Sequence, residues 1–485
     1  MSNTRTLILI PPSKFAKNVA RDLVYGCWCK GKRIAGIQFP PLSLISVATV
    51  LKKDGKKVEL LDAAAEELSI EDIQKRAGDF DIVVMLTSTM TLNEDAAVLG
   101  ALKQAKAELK TIVFGGHVTA EPESTLERPG IDIVVRMEAE HIVRDLVRAF
   151  DDGGGAWKKI HGIAFKENGK VKVNADYPLI ADLNELPIPD RTFLPKGIDY
   201  FNPIVKKMPY TTMFTSRGCP GKCTFCSSPT FYGRKIRYRS AESVLAEIEE
   251  IAGLGYKEIF FRDEIFTVSK KRVYAVCKGI LKREIKISWI CSSRIGAVDY
   301  EMIRIMKKAG CHMLRLGVET GVQDLLDNVR KGITVEQTRK TLKWANRVGI
   351  DTHAHMMIGM PGETKDTLKE TFRFVIDIDP TIVTFGICTP YPGTQLFDEL
   401  KSAHPEIGDG TQSDLSTLHT KSFYNVHFTS LTEEELQKFI RLAYRKFYLR
   451  PDYILKWLFK IGDLSELMRV SLAATQVLSF IRGKD

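Results

Sequence analysis

Residues 219–226 read Cys219-Pro220-Gly221-Lys222-Cys223-Thr224-Phe225-Cys226. Three cysteines at C-x3-C-x2-C spacing crowd into this stretch, and no fourth lies nearby. Thiolates so spaced hold iron–sulfur clusters or zinc. A structural zinc ion asks for four protein ligands, and the remaining cysteines of this region are poorly placed to supply one. Cys277 falls within a helical pattern, Cys291 and Cys388 at strand ends, and Cys311 at a helix–strand turn. In such places cysteine is ordinarily a small buried hydrophobe. A cubane held by three thiolates keeps one iron open for a ligand that is not protein. The metal, and the centre of the chemistry, is therefore assigned to Cys219, Cys223 and Cys226.

Around the triplet the apolar pattern alternates strand-like runs with helical periods six times. Strands are expected at Thr211–Thr215, Glu258–Phe261, Ile287–Cys291, Met313–Val318, Thr352–Ile358 and Ile382–Ile387. Helices are expected at Ala241–Leu254, Lys270–Lys282, Tyr300–Lys308, Val335–Val348, Asp366–Ile378 and Gln395–Ser402. Six βα units in a row predict a parallel barrel, complete or partial, with its site at the carboxyl ends of the strands. The triplet follows the first of those strands. His353 and His355 stand two apart on the fifth strand and so share a face; a satisfied core histidine is the ordinary reading of each.

The first 150 residues alternate as well. Short, mostly β-branched runs at Leu7–Ile10, Val58–Leu61, Ile82–Leu86, Ile112–Phe114 and Ile131–Val135 suit buried parallel strands. Between them lie helical segments at Leu42–Lys53, Ile70–Ala77, Leu92–Leu109 and His141–Phe150. The fold class expected is α/β: a Rossmann-like doubly wound parallel sheet, then a (βα)6 partial TIM barrel, then a C-terminal helical region. Ligands of a doubly wound sheet sit beyond the carboxyl ends of its strands. That gathers Asp62, Thr87, Ser88, Thr89, Gly115, Gly116, His117 and Glu138 around one crevice. Singly, each has an ordinary reading as a strand-end carboxylate or a tight turn; their joint placement singles them out. A hairpin is expected from Ile160–Phe165 and Val171–Val173, followed by a proline-rich linker. The domains expected are 1–153, 154–205 (hairpin and linker), 206–395 and 396–485.

With 44% hydrophobic and 27% charged residues among 485, the chain is globular rather than disordered. An odd count of nine cysteines suits a reducing compartment. No secretory pattern and no uncharged run long enough for a bilayer appear, so a cytoplasmic location is expected. Beyond Leu436, ten Lys or Arg face four acidic residues and interleave with Phe447, Tyr448, Tyr453, Trp457 and Phe459. This mixture suits a cap that buries its aromatics on the domain, or peripheral contact with a membrane surface. Upstream, Glu433, Glu434 and Glu435 suit the first turn of a helix. Cys27 and Cys29 lie in a long, basic loop, too few thiols for a second cluster.

The triplet with Phe225 before its last cysteine resembles the radical S-adenosylmethionine superfamily. The resemblance implies a [4Fe-4S] cluster whose open iron chelates S-adenosylmethionine and cleaves it to the 5′-deoxyadenosyl radical. "FFRDEIFT" is similar to the segment that meets the amino group of S-adenosylmethionine, through Asp263 or Glu264. "CSSRI" places Ser292 and Arg294 where the family contacts ribose and carboxylate, and "RLGVETG" places Glu319 at a further polar contact. "MIGMPGET" (Gly359, Pro361, Gly362) resembles the segment bordering the adenine.

The N-terminal region, with "LLDAAAEELS", "TSTM", "FGGHVTAEPE" and the "PDR" end of the linker, resembles the cobalamin-binding half of the cobalamin-dependent members. It departs from them twice. There is no D-x-H-x-x-G stretch to supply a lower axial base, and Met137 and Ala139 stand at positions where members often carry glycine. The resemblance implies an enzyme that methylates an unactivated carbon of a small molecule, hydrophobic ones included, with an external electron donor such as flavodoxin or ferredoxin. Two other chemistries are open: ring or C–C bond formation on a tetrapyrrole, hopanoid or lipid, and RNA modification. Nucleic acid is not expected as a partner, because RNA-modifying methylthiotransferases carry a second three-cysteine site.

Overall fold

The computed structural model describes residues 4–12, 39–198, 200–411, 424–462 and 464–482. Cys27 and Cys29 lie outside the described residues.

Strands β1 (Arg5–Ile10), β2 (Lys57–Asp62), β3 (Ile82–Leu86), β4 (Lys110–Phe114) and β5 (Ile133–Val135) form a parallel sheet. β6 (Ile163–Glu167) and β7 (Lys170–Val173) follow as an antiparallel hairpin. The order is β2-β1-β3-β4-β5-β6-β7, so the hairpin continues the first sheet instead of standing apart. The order reverses between β1 and β3, which is the switch point where such sheets bind ligands. The helix expected to reach Leu109 ends at Ala105; Lys106 takes extended dihedrals, and a turn closed by Leu109 N donating to Lys106 O at 3.1 Å leads into β4.

β8 (Tyr210–Met213), β9 (Ser216–Arg217), β10 (Arg237–Tyr238), β11 (Glu258–Phe261), β12 (Ser288–Ser293), β13 (Cys311–Glu319), β14 (Asp351–Ile358) and β15 (Ile382–Ile387) build the second half. Six of these run parallel in the order β15-β14-β13-β12-β11-β8, a (βα)6 partial barrel. The barrel's first strand stops at Met213, short of the expected Thr215. The chain then enters a separate ribbon, in which β9 pairs antiparallel with β10. That ribbon closes the neck of the loop that carries the three cysteines.

The helix Leu42–Lys53 is apolar on most of its circumference, as a helix buried on several sides must be. It packs in a cluster that also contains Tyr210, Phe260, Ile290 and Met313 of the barrel strands. The two halves thus share one apolar cluster, beside a separate core of their own in each.

β15 is an open barrel edge, and an uncovered edge invites pairing with other chains. Tyrosines of the C-terminal helices occupy it. The Tyr448 hydroxyl accepts from Val383 N at 3.1 Å and donates to Val383 O at 2.6 Å. Tyr444 accepts from Phe385 N at 3.3 Å, and Tyr453 donates to Thr381 O at 2.9 Å. Of the two readings of the basic, aromatic tail, the cap is therefore realised by these residues. Phe459 differs, being 88% exposed. Among the described residues no helix is long and apolar enough to cross a membrane.

Candidate active site at the carboxyl ends of the barrel strands

The cysteine loop is fixed from several directions. Cys219 N donates to Gly233 O at 3.2 Å, Thr224 N to Val329 O at 3.1 Å, and Leu396 N to Thr224 O at 2.9 Å. Arg234 Nη1 donates to Gly221 O at 2.6 Å. Cys219, Cys223 and Cys226 are all partly accessible and unpaired in disulfides, while Cys277, Cys291, Cys311 and Cys388 are buried. Burial pushes the Cys277 thiol up to about 12 and raises that of Cys311 as well. Burial raises the Cys219 thiol too, so it is accessibility that separates the triplet from the remaining barrel cysteines. Cys219 Sγ and Cys223 Sγ lie 3.3 and 3.8 Å from the position a Cβ on Gly221 would take; in a cubane each thiolate binds a different iron.

Side chains from successive strand ends surround this loop. Arg294, just past β12, brings Nη1 to 3.8 Å from Cys223 Sγ. Glu319 ends β13 with a left-handed φ of 65°, and its Oε1 accepts from Lys331 Nζ at 2.5 Å. Burial alone would lower the Lys331 ammonium, but Glu319 and the Cys223 sulfur beside it hold it above its ordinary range. Lys331 also lies 5.9 Å over the Phe225 ring. A side chain at Gly317 would strike this pair, with Glu319 Oε1 only 2.5 Å from the Cβ position. Lys331 was not signalled by the sequence, because it reaches the site from a loop after β13.

Asp263 and Glu264 part company. Asp263 is buried: its Oδ1 accepts from Thr215 N at 2.8 Å and its Oδ2 from Ser216 Oγ at 2.5 Å, with Arg272 Nη2 at 3.3 Å. It ties β11 to the start of the cysteine ribbon. Glu264 remains partly accessible beside Cys219. Burial pushes its carboxyl up to about 8, and the Asp263 carboxylate adds to the rise. A desolvated carboxyl of this kind is suited to an incoming ammonium group, which would restore its charge. Ser292 lies in β12 and accepts from Arg315 Nη1 at 3.4 Å. Gly359 has φ 72°, and a Cβ there would meet Asn425 Nδ2 at 2.5 Å; Gly362 has φ 81°. Asn425 Nδ2 donates to Gly359 O at 2.6 Å, and Pro361 O accepts from Asn328 Nδ2 at 3.4 Å. These contacts hold the segment at the end of β14.

In the first domain the expected residues do meet around the strand ends, but each side chain is engaged by protein. Asp62 accepts from Tyr200 Oη at 2.9 Å and Ala65 N at 3.0 Å. Thr87 donates to Asp95 at 2.7 Å, and Ser88 Oγ lies 3.2 Å from Thr91 Oγ1. Thr89 Oγ1 lies 3.1 Å from His117 Nδ1. His117 Nε2 faces Asp409, 3.7 Å away, and Asp409 in turn accepts from Arg128 at 2.8 Å. Gly115 is required as glycine: at φ 141° its Cβ would lie 2.1 Å from Thr87 O. Gly116 opens the short helix that carries His117. A corrin would accordingly meet side chains already held in place by protein partners.

Glu138 belongs to an interface that the sequence did not disclose. Its Oε2 accepts from Arg237 Nη1 at 2.7 Å and Ile180 N at 2.8 Å, and its Oε1 from Arg217 Nη1 at 3.1 Å. Arg217 Nη2 also donates to Glu140 at 2.5 Å. Burial would raise the Glu140 carboxyl, yet Arg217 holds it below its ordinary range. Arg217 and Arg237 are direct partners across the β9–β10 ribbon. Met137, just before Glu138, takes φ 66°, the conformation that glycine adopts most readily, and its N–H donates to Thr119 Oγ1 at 2.8 Å.

The radical SAM superfamily model matches residues 213–375, and the B12 binding domain model matches residues 35–147. An uncharacterized methyltransferase of Pyrococcus horikoshii is 33% identical over 471 residues, covering 95% of this chain and 96% of that protein. The anaerobic magnesium-protoporphyrin IX monomethyl ester cyclase of Rubrivivax gelatinosus is 30% identical, covering 87% of this chain and 76% of its own. Two solved structures share the fold. The cobalamin-dependent S-adenosylmethionine radical enzyme OxsB superposes with a TM-score of 0.71 at 20% identity, over 98% of this chain and 71% of that one. The radical S-adenosylmethionine methyltransferase TsrM of Kitasatospora setae gives 0.67 at 18%, over 82% and 78%. The chain belongs to the radical S-adenosylmethionine enzymes that carry a B12-binding domain, and the two domains occupy its two halves.

Proposed function

We propose that this enzyme methylates an unactivated carbon of a small molecule. The observation that carries the reading is the placement of the half-buried Cys219, Cys223 and Cys226 at the mouth of the barrel, locked through Arg217 to the B12-binding domain. The methyltransferase relative that spans nearly the whole chain supports it over ring formation. When bound, the cluster with S-adenosylmethionine supplies the 5′-deoxyadenosyl radical, and cobalamin supplies the methyl group.

The chain's own part is binding and orientation. Glu264 takes the amino group of S-adenosylmethionine and Arg294 its carboxylate; Ser292 and the Glu319–Lys331 pair add polar contacts. Phe225 and the Gly359-Met360-Pro361-Gly362 backbone border the adenosine. Residues 1–153 hold the corrin beyond β3 and β4, around Thr87–Thr89 and Gly115–His117, with Asp62 fixing Tyr200 at its side. Residues 206–395 carry the radical chemistry, and 396–485 cover the barrel edge. An external one-electron donor such as a flavodoxin or ferredoxin reduces the cluster. Ile454, Leu455, Phe459, Leu467, Met468 and Leu472 are exposed on the last two helices and support peripheral membrane contact by a cytoplasmic protein.

Anaerobic reconstitution with iron and sulfide, followed by dithionite and S-adenosylmethionine, tests the reading. 5′-Deoxyadenosine is expected from the wild type and not from Cys226→Ala, with a corrin absorption spectrum in the loaded protein. A reconstituted wild type that forms no 5′-deoxyadenosine overturns it.

A further inference from the structure

The last residues of β13, β14 and β15 alternate in exposure. Leu314, Leu316, Ala354, Met356, Val383 and Phe385 are buried under the outer helices. Arg315, Gly317, His355, Met357, Thr384 and Gly386 are each partly accessible. With a side-chain period of two, these line the inner face of an open chamber. Strand register joins the chamber to the site above it. Ser292 pairs with Arg315 and Arg315 with His353, while Gly317 pairs with His355 and His355 with Thr384. Glu319 lies two residues beyond Gly317.

Arg315 sits low in this chamber, bonded to Ser292, with its guanidinium carbon 5.0 Å from the Phe260 ring centre. The Thr384 hydroxyl bridges two imidazoles, 3.2 Å from His353 Nε2 and 3.0 Å from His355 Nδ1, whose rings are 4.1 Å apart. His353 is only 6% exposed, and its Nδ1 has no hydrogen-bond partner among the described residues. Leaving a buried polar atom so costs about 1–3 kcal/mol. Burial, and then the Arg315 charge, holds the His353 imidazole neutral.

We propose that Arg315 and His353 seat an anionic group of the substrate, a carboxylate or a phosphate ester, inside the barrel. This rests on the proposed methyltransferase reading, since it places a substrate in the chamber below S-adenosylmethionine. The guanidinium donates charge-assisted bonds to the anion, and His353 Nδ1–H donates to it as well. His353 Nε2 then accepts from the Thr384 hydroxyl, which in turn accepts from His355 Nδ1–H. One bound anion therefore fixes the tautomers of both histidines. A cationic group would be repelled by Arg315, whereas the Lys331 charge above it is balanced by Glu319.

The test uses the full-length protein with 15N-labelled histidine, titrated separately with acetate and with inorganic phosphate. Long-range 1H–15N spectra, assigned with His353→Gln and His355→Gln, read the tautomers. Saturable movement of the His353 signal to the Nδ1–H form is expected with at least one anion. Acetate alone identifies a carboxylate, phosphate alone a phosphate ester. The response should vanish in Arg315→Gln and weaken about tenfold in Arg315→Lys, the latter serving if the former does not fold. No movement with either anion, or movement unchanged in both Arg315 variants, overturns the seat. The readout needs neither cluster nor turnover. A failed titration with normal 5′-deoxyadenosine formation thus removes only the anion seat, and the converse result removes only the methyltransferase reading.

Discussion

Arg217 donates to Glu140 at 2.5 Å across the junction of the two halves, only two residues before Cys219. With Arg237 and Glu138 it forms a closed set of two cations and two carboxylates, all buried. Removing one member leaves an uncompensated buried charge, so Arg217→Ala should cost about 3–5 kcal/mol. Denaturant unfolding checks this value. A cycle with Glu140→Gln should show strong coupling, the double variant being less unstable than the sum of the singles.

Asp263 and Glu264 are neighbours with opposite tasks. Asp263→Asn should destabilise the fold by about 2 kcal/mol, because it weakens a buried, multiply bonded carboxylate. Glu264→Gln should leave thermal stability within about 0.5 kcal/mol of the wild type or raise it, while weakening S-adenosylmethionine binding at least tenfold. Paired melting and ligand-binding measurements separate the two.

Met137 pays for its left-handed backbone. Met137→Gly keeps the Thr119 bond, which uses the backbone N–H, and relieves a conformation that costs a side-chain-bearing residue about 1 kcal/mol. A stability gain of that size is expected by denaturant unfolding. Met137→Val, β-branched, should move stability the other way.

Glu363 gives the protein a pH signature. Its Oε2 accepts from Gly359 N and from Met360 N, while its Oε1 is buried without a partner among the described residues. Burial pushes its carboxyl up to about 8. The folded state therefore retains a proton that the unfolded state releases near the ordinary carboxylate value. Stability from this group is full at low pH and declines as pH rises toward 8. Glu363→Gln, which mimics the protonated acid, should match the wild type near pH 4.5 and exceed it at pH 8 by on the order of 3 kcal/mol. Melting curves across that range, compared as differences, check the sign.

The legible part of the site was local. C-x3-C-x2-C is a spacing along the chain, and it lies on one loop because a single turn carries it. The strand–helix alternation likewise follows from short-range apolar periods, so the doubly wound sheet and the six parallel strands could be read before their packing was known. Arg294 and Glu319 were expected from the family-like motifs CSSRI and RLGVETG, and the fold brings them to the ends of neighbouring strands. Glu138 was assigned to the cofactor crevice because its place at a strand end was legible and its partners were not. Those partners, Arg217 and Arg237, lie 79 and 99 residues further along the chain.

By itself, the sequence determined the α/β architecture, because apolar periods act within one element, and it singled out the cysteine triplet by its spacing on one loop; the pairing of a corrin-type domain with a barrel came from family resemblance. Only the tertiary structure decided which carboxylate of Asp263 and Glu264 is structural, and that a methionine stands in a glycine's conformation. It also decided that Tyr448 closes the barrel edge and that His353 and Arg315 share one chamber. Those facts depend on contacts between residues distant in sequence. Burial, register and ion pairing across the domain junction set them, and no periodicity in one dimension encodes such relations.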